Sequence, residues 1–177
     1  MANSSNNTLQ RTAAKEIQAF LEGEAHKALL VTGARQVGKT TLIRQLGQEA
    51  FPNFVELNFL ENTAARQLFE TATDSSDFLL RLSALVGEKL VPGKTLIFLD
   101  EVQEFKDIVT RVKFLVEDGS YRYIMSGSLL GVELNDLRSA PVGYLRVCDM
   151  YPMDLCEFMV SVGVNQNVID TLKECFM

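Results

Sequence analysis

The sequence predicts an α/β fold, a parallel β-sheet covered by helices on both faces. Two observations carry this. Short apolar runs alternate along the chain with segments of helical periodicity. The runs are also continuously apolar rather than alternating, as in strands buried on both faces. The 177 residues suffice for one domain with a sizeable core. Hydrophobic residues make up 47% and charged residues 23%, the balance of a globular chain and not of a disordered or low-complexity one.

The elements follow in order. Leu9, Ala13, Ile17, Phe20 and Leu21 recur at helical spacing and predict a helix ending near Gly23. Ala28 to Thr32 reads as a buried strand, Thr40 to about Leu46 as a helix, and Phe54 to Asn58 as a second strand. A helix-rich stretch runs from about Thr63 to Val86, with Asp74, Ser75 and Ser76 placed to cap a second helix. Pro92-Gly93 marks a turn before the third strand, Thr95 to Leu99. Ile108, Val109, Val112, Leu115 and Val116 line one helical face, and Asp118-Gly119 ends that helix. Tyr121 to Met125 and Tyr144 to Met150 read as the fourth and fifth strands. Asp154, with Glu157 three residues later, resembles a capping box before a last helical region.

The segment richest in chemistry is Gly33-Ala34-Arg35-Gln36-Val37-Gly38-Lys39-Thr40, followed by Thr41. It fits the pattern of Gly, four residues, Gly, Lys, then Ser or Thr, and it stands between a strand and a helix, where a phosphate-binding loop must stand. Glycines let the backbone curl with positive φ, so successive N–H groups face a phosphate at the positive end of a helix. Lys39 reaches the outer phosphates of a nucleotide, and the Thr40 hydroxyl is suited to Mg²⁺.

A second element, Leu96-Ile97-Phe98-Leu99-Asp100-Glu101, is an apolar strand ending in two acids. Such a strand delivers its acids to the carboxyl edge of the sheet, where ligands bind in open α/β folds. Asp100 is the candidate Mg²⁺ ligand, and Glu101 the candidate base for an attacking water. The pair separates this chain from GTPases, whose Asp-x-x-Gly and Asn-Lys-x-Asp motifs are absent from the sequence. A third element, Tyr123-Ile124-Met125-Ser126-Gly127-Ser128, runs from a strand into small polar residues. Ser126 and Ser128 are both candidates for a hydroxyl beside the γ-phosphate.

Together GARQVGKTTLIRQL, IFLDEVQE, YIMSGSLL and MYPMDLCEFM resemble the prokaryotic AAA-type ATPases that carry a C-terminal domain of unknown function. The resemblance runs from about Leu9 to Val164 and is most specific at Asp100 to Gln103 and Tyr151 to Phe158. It implies a P-loop NTPase sheet in the order 5-1-4-3-2, ATP as the nucleotide, and Lys39, Thr40, Asp100 and Glu101 in the roles above. It further implies an arm over 1–8, an ATPase domain over 9–160, and the start of a following region over 161–177. Many members carry Gly-Arg before the fifth strand; here Gly143-Tyr144 stands there.

The expected activity is Mg²⁺-dependent ATP hydrolysis coupled to a conformational change. Alternatives are a slow nucleotide-binding switch and a small-molecule kinase. Expected partners are ATP and either further copies of the chain or another protein. The net charge of −6 argues against a broad contact with nucleic acid, although DNA stays among the candidates through a local basic patch. The polar N-terminus, the absence of an apolar run of ~18–20 residues, and three cysteines without metal-ligand spacing (Cys148, Cys156 and Cys175) point away from a membrane and toward the cytoplasm. His26 has no partner at ligand spacing.

Overall fold

The computed structural model describes residues 11–23, 26–87, 90–105, 107–128 and 143–176. The predicted arm over 1–8 lies outside the described residues. The elements are α1 (Thr12–Glu22), β1 (Ala28–Thr32), α2 (Lys39–Ala50), β2 (Asn53–Asn58), α3 (Thr63–Glu70), α4 (Ser75–Val86) and β3 (Thr95–Asp100). There follow a 3₁₀ turn (Val102–Glu104), α5 (Asp107–Asp118), β4 (Arg122–Gly127), β5 (Leu145–Asp149), α6 (Leu155–Ser161) and α7 (Gln166–Phe176).

All five strands pair in parallel, in the order β2-β3-β4-β1-β5. This is the expected order. The central strands are apolar throughout because both of their faces are covered. Side chains alternate across a strand, so each strand feeds two cores. Ala28, Leu30, Ile97, Leu99, Tyr123 and Met125 face one side, with α3, α4 and α5. Leu29, Val31, Leu96, Phe98 and Ile124 face the other, with α1 and α2. The edges differ: every residue of β1 and β3 is buried, whereas in β5 only Cys148 is.

Local chemistry sets the element ends. Asn62 caps α3 by accepting from the Ala65 N–H at 3.0 Å. Asp74 caps α4 by accepting from the Asp77 N–H at 2.9 Å. These caps explain why the stretch from Thr63 is two helices. The Arg122 guanidinium donates to the carbonyls of Phe20 and Gly23, satisfying acceptors that the end of α1 leaves over. Gly47 lets α2 lie close to the sheet, since a Cβ there would sit 2.6 Å from the Phe54 ring.

Three boundaries differ from expectation. Helix α2 continues to Ala50, because Gly47 has a packing role and does not break it. Strand β4 extends through Ser126 and Gly127, since parallel pairing with Val31 and Thr32 of β1 holds both in the ladder. The last helical region is two helices, with Gly163 at φ 82° between them.

Candidate functional site

The carboxyl ends of β1, β2, β3 and β4 bring the polar residues together. The segment from Gly33 to Gly38 leaves β1 as a loop, and α2 starts at Lys39. Gly38 caps that helix in the left-handed region at φ 93°. Gly33 has φ 152°, and a Cβ on it would lie 2.1 Å from the Met150 carbonyl oxygen, so only glycine fits. Gln36 also takes a positive φ, 64°, the backbone strain common at ligand-binding loops. An open cleft of about 410 Å³ is lined by Arg35, Gln36, Gly38, Lys39, Thr40, Thr41, Leu60 and Glu101. Gly33, Ala34 and Val37 belong to the loop without lining this cleft.

Lys39 is buried, and its ammonium donates to the carbonyls of Gly33 at 3.0 Å and Ala34 at 2.8 Å. It thereby closes the loop on itself. Burial lowers its pKa below the ordinary value; the carboxylates of Glu101 and Asp100 oppose this, and Arg35 adds to it.

Asp100 is 2% exposed and gathers four donors. Its Oδ2 accepts from the Thr40 hydroxyl at 3.0 Å and the Asn58 amide at 3.3 Å. Its Oδ1 accepts from the Ser126 hydroxyl and from the Glu101 N–H at 3.0 Å. Asn58 stands in register with Asp100 at the end of the neighbouring strand. Its own Oδ1 accepts from the N–H groups of Leu60 and Glu61 at 2.9 and 3.1 Å, which fixes its amide the right way round.

Glu101 adopts φ 56°, an uncommon conformation for a residue with a side chain, as the chain turns from β3 into the 3₁₀ segment. The Gln103 amide donates to Glu101 Oε2, and its carbonyl accepts from the Ser128 N–H at 3.2 Å. A carboxylate only accepts and an N–H only donates, so both ends agree on the orientation of this amide.

Every site residue expected from the sequence lies in this region. The two serines part company. Ser126 is fully buried with its hydroxyl on Asp100, while Ser128 engages Gln103 through its backbone. Two further residues emerge only from the structure. Leu60 lines the cleft. Asn58 had one signal, a polar residue ending an apolar strand, which acquires meaning once β2 is known to lie beside β3.

The donor set fits Mg²⁺. A hydroxyl and a carboxylate 3.0 Å apart are hard oxygen ligands. Among the described residues no group of three His, Cys, Asp or Glu forms a metal cage. Mg²⁺ suits such a sparse site, because it keeps waters and binds through one or two protein ligands plus phosphate oxygens.

Comparison with known proteins agrees with this arrangement. The model of the AAA domain family matches residues 25–159. A structure of Drosophila ORC bound to DNA is similar, with a TM-score of 0.54 and 18% identity, covering 92% of this chain and 48% of that one. A RuvB variant from Thermotoga maritima is similar at a TM-score of 0.51 and 18% identity, covering 91% of this chain and 51% of that one. At such identities the likeness is one of fold. The chain spans about half the length of these solved structures. No curated protein matches it.

Proposed function

The chain belongs to the AAA domain family, and from that premise we propose that it binds ATP with Mg²⁺ and hydrolyses it. The observation that carries this reading is the hydrogen bond of 3.0 Å between Thr40 and Asp100. It places the helix-start hydroxyl and the strand-end carboxylate at one point, beside a cleft lined by the phosphate loop and Glu101. Nucleotide binding follows from the family and its fold; hydrolysis and Mg²⁺ dependence are the proposal.

In this reading the N–H groups of the loop and the Lys39 ammonium hold the β- and γ-phosphates. Thr40 and Asp100 hold Mg²⁺, which when bound supplies positive charge to the phosphate oxygens. Asn58 and Ser126 orient the Asp100 carboxylate through their donated hydrogen bonds. Glu101, on the cleft wall, takes a proton from the attacking water. Ser128 remains a candidate for sensing the γ-phosphate through its link to Gln103. Arg35 and Thr41 complete the lining on the nucleotide side.

The bond from Gln103 to Glu101 favours a second reading, a slow nucleotide switch, because it occupies the carboxylate that would serve as base. Phosphate release decides between them. Mg²⁺-dependent multi-turnover release that Glu101→Gln abolishes, while ATP binding persists, supports the enzyme. ATP binding without turnover in the wild type supports the switch. We place the domain in the cytoplasm, working with further copies of itself or a partner protein. No helix among the described residues is long and apolar enough to cross a membrane.

A further inference from the structure

The residue with the farthest-reaching polar contacts outside the catalytic cluster is Arg11. It is 8% exposed and stands immediately before α1. Its Nη1 donates to the Val37 carbonyl in the phosphate loop at 3.0 Å. Its Nη2 donates to the Tyr151 carbonyl, beyond β5, at 2.5 Å. Its Nε lies 3.1 Å from Glu157 Oε2 in α6, an ion pair whose alignment leaves Nε without a hydrogen bond. One side chain thus ties together three segments far apart in sequence.

Glu157 is itself a junction. Its Oε1 accepts from the Thr12 N–H at 2.7 Å, and its Oε2 from the Asp154 N–H at 3.2 Å. Asp154 accepts in return from the Glu157 N–H at 2.7 Å, completing the capping box that starts α6. The segment from Met150 to Tyr151 also presses on the loop: the Met150 N–H donates to the Thr32 carbonyl at 2.7 Å, and a Cβ at Gly33 would strike the Met150 carbonyl. A lysine could not reproduce the node. Only a planar guanidinium presents several donors in a fixed fork to separate acceptors.

The bond to Val37 has a consequence inside the loop. The peptide joining Val37 to Gly38 is trans, like every described peptide bond. In a trans peptide the C=O and N–H point in opposite directions. Arg11 lies outside the lining of the nucleotide cleft, so holding the Val37 carbonyl toward it aims the Gly38 N–H the other way, to the phosphate side.

We infer that Arg11 is a positioning residue that couples the phosphate loop to α6, so that nucleotide in the loop and the seating of α6 stabilise each other. The inference rests on the ATP-binding reading above. Linkage makes the effect reciprocal: what α6 contributes to ATP affinity, ATP contributes to α6. It also gives a purpose to the segment from Tyr151 to Phe158, which no catalytic role required.

The test is amide hydrogen exchange of the full chain with and without ATP and Mg²⁺, on the wild type and on Arg11→Gln, Arg11→Lys and Glu157→Gln. In the wild type, nucleotide should slow exchange in the loop and severalfold in residues 154–161. In Arg11→Gln and Glu157→Gln the loop should still respond while 154–161 no longer does. Arg11→Gln should also lose about tenfold in ATP affinity, a usual size for coupling between sites, and Arg11→Lys should regain only part of it. A wild type whose loop is protected while 154–161 stays unchanged overturns the coupling alone and leaves ATP binding intact. A wild type in which nucleotide protects nothing overturns the ATP reading and the coupling with it. Because the wild type alone decides the main question, a variant that fails to fold does not blunt the test.

Discussion

Replacing Asp100 by Asn tests the centre of the site, and its effect follows from the hydrogen-bond directions. The substitution keeps the shape but turns one acceptor into a donor. If the new NH₂ takes the place of Oδ1, it meets the Ser126 hydroxyl and the Glu101 N–H. The hydroxyl can rotate to accept; the N–H cannot. If the NH₂ takes the place of Oδ2, it meets the Thr40 hydroxyl and the Asn58 NH₂. Thr40 can rotate, but the Asn58 amide cannot turn over, because its oxygen already serves Leu60 and Glu61. Either orientation leaves one buried donor unpaired, which costs about 1–3 kcal/mol. For a chain of this size each kcal/mol moves Tm by about 2–4 °C. Release from desolvating a carboxylate offsets part of the cost, so the expected drop without nucleotide is about 2–6 °C. Calorimetric titration should also show that adding Mg²⁺ strengthens ATP binding in the wild type and about tenfold less so in the variant. An equal or higher Tm would refute the account of four donors, and an undiminished Mg²⁺ effect would remove Asp100 from the metal site.

Three further outcomes are expected. Lys39→Ala removes charge-assisted hydrogen bonds worth ~1.5–3 kcal/mol, so ATP affinity should fall at least about tenfold by titration calorimetry; equal affinities would sink the phosphate-loop assignment. Burial pushes the Cys148 thiol up to about 12, with Glu16 adding to it. Iodoacetamide at pH 8 should therefore label exposed Cys175 in the native protein and reach Cys148 only after unfolding. A thiol raised in the folded state contributes stability that is complete below its ordinary 9.0 and lost as pH climbs toward 12, so chemical denaturation should grow easier across that window. Tyr123→Phe deletes a buried hydroxyl with no hydrogen-bond partner among the described residues. Relief of ~1–3 kcal/mol should raise Tm by at least about 2 °C, and a lowered Tm would mean that the hydroxyl is satisfied.

Much of the site was legible because its parts are local. A phosphate loop is one strand, one turn and one helix start, and Gly33 to Thr41 spell all three in consecutive residues. The acids Asp100 and Glu101 announce themselves by ending an apolar run. Buried central strands read clearly because both faces need apolar side chains, as Leu96 to Leu99 show. The edge strand β5 read less clearly, since Leu145 to Val147 face partly to solvent and no such pattern constrains them.

What the sequence by itself determined was therefore each piece of chemistry that fits within a few residues: the loop, the acidic strand end, the capping box of α6, and the parallel α/β class. Tertiary structure decided which pieces meet. The order β2-β3-β4 puts Asn58 and Ser126 on opposite sides of Asp100. The bend after β3 turns Gln103 back onto Glu101. The packing of α1 against β5 and α6 carries Arg11 to Val37, Tyr151 and Glu157. No local pattern distinguishes a buried Arg11 from an exposed arginine, or Asn58 from any polar residue at a strand end. Their roles arise from contacts between distant segments, and strand order, register and helix packing exist only once the whole chain has folded.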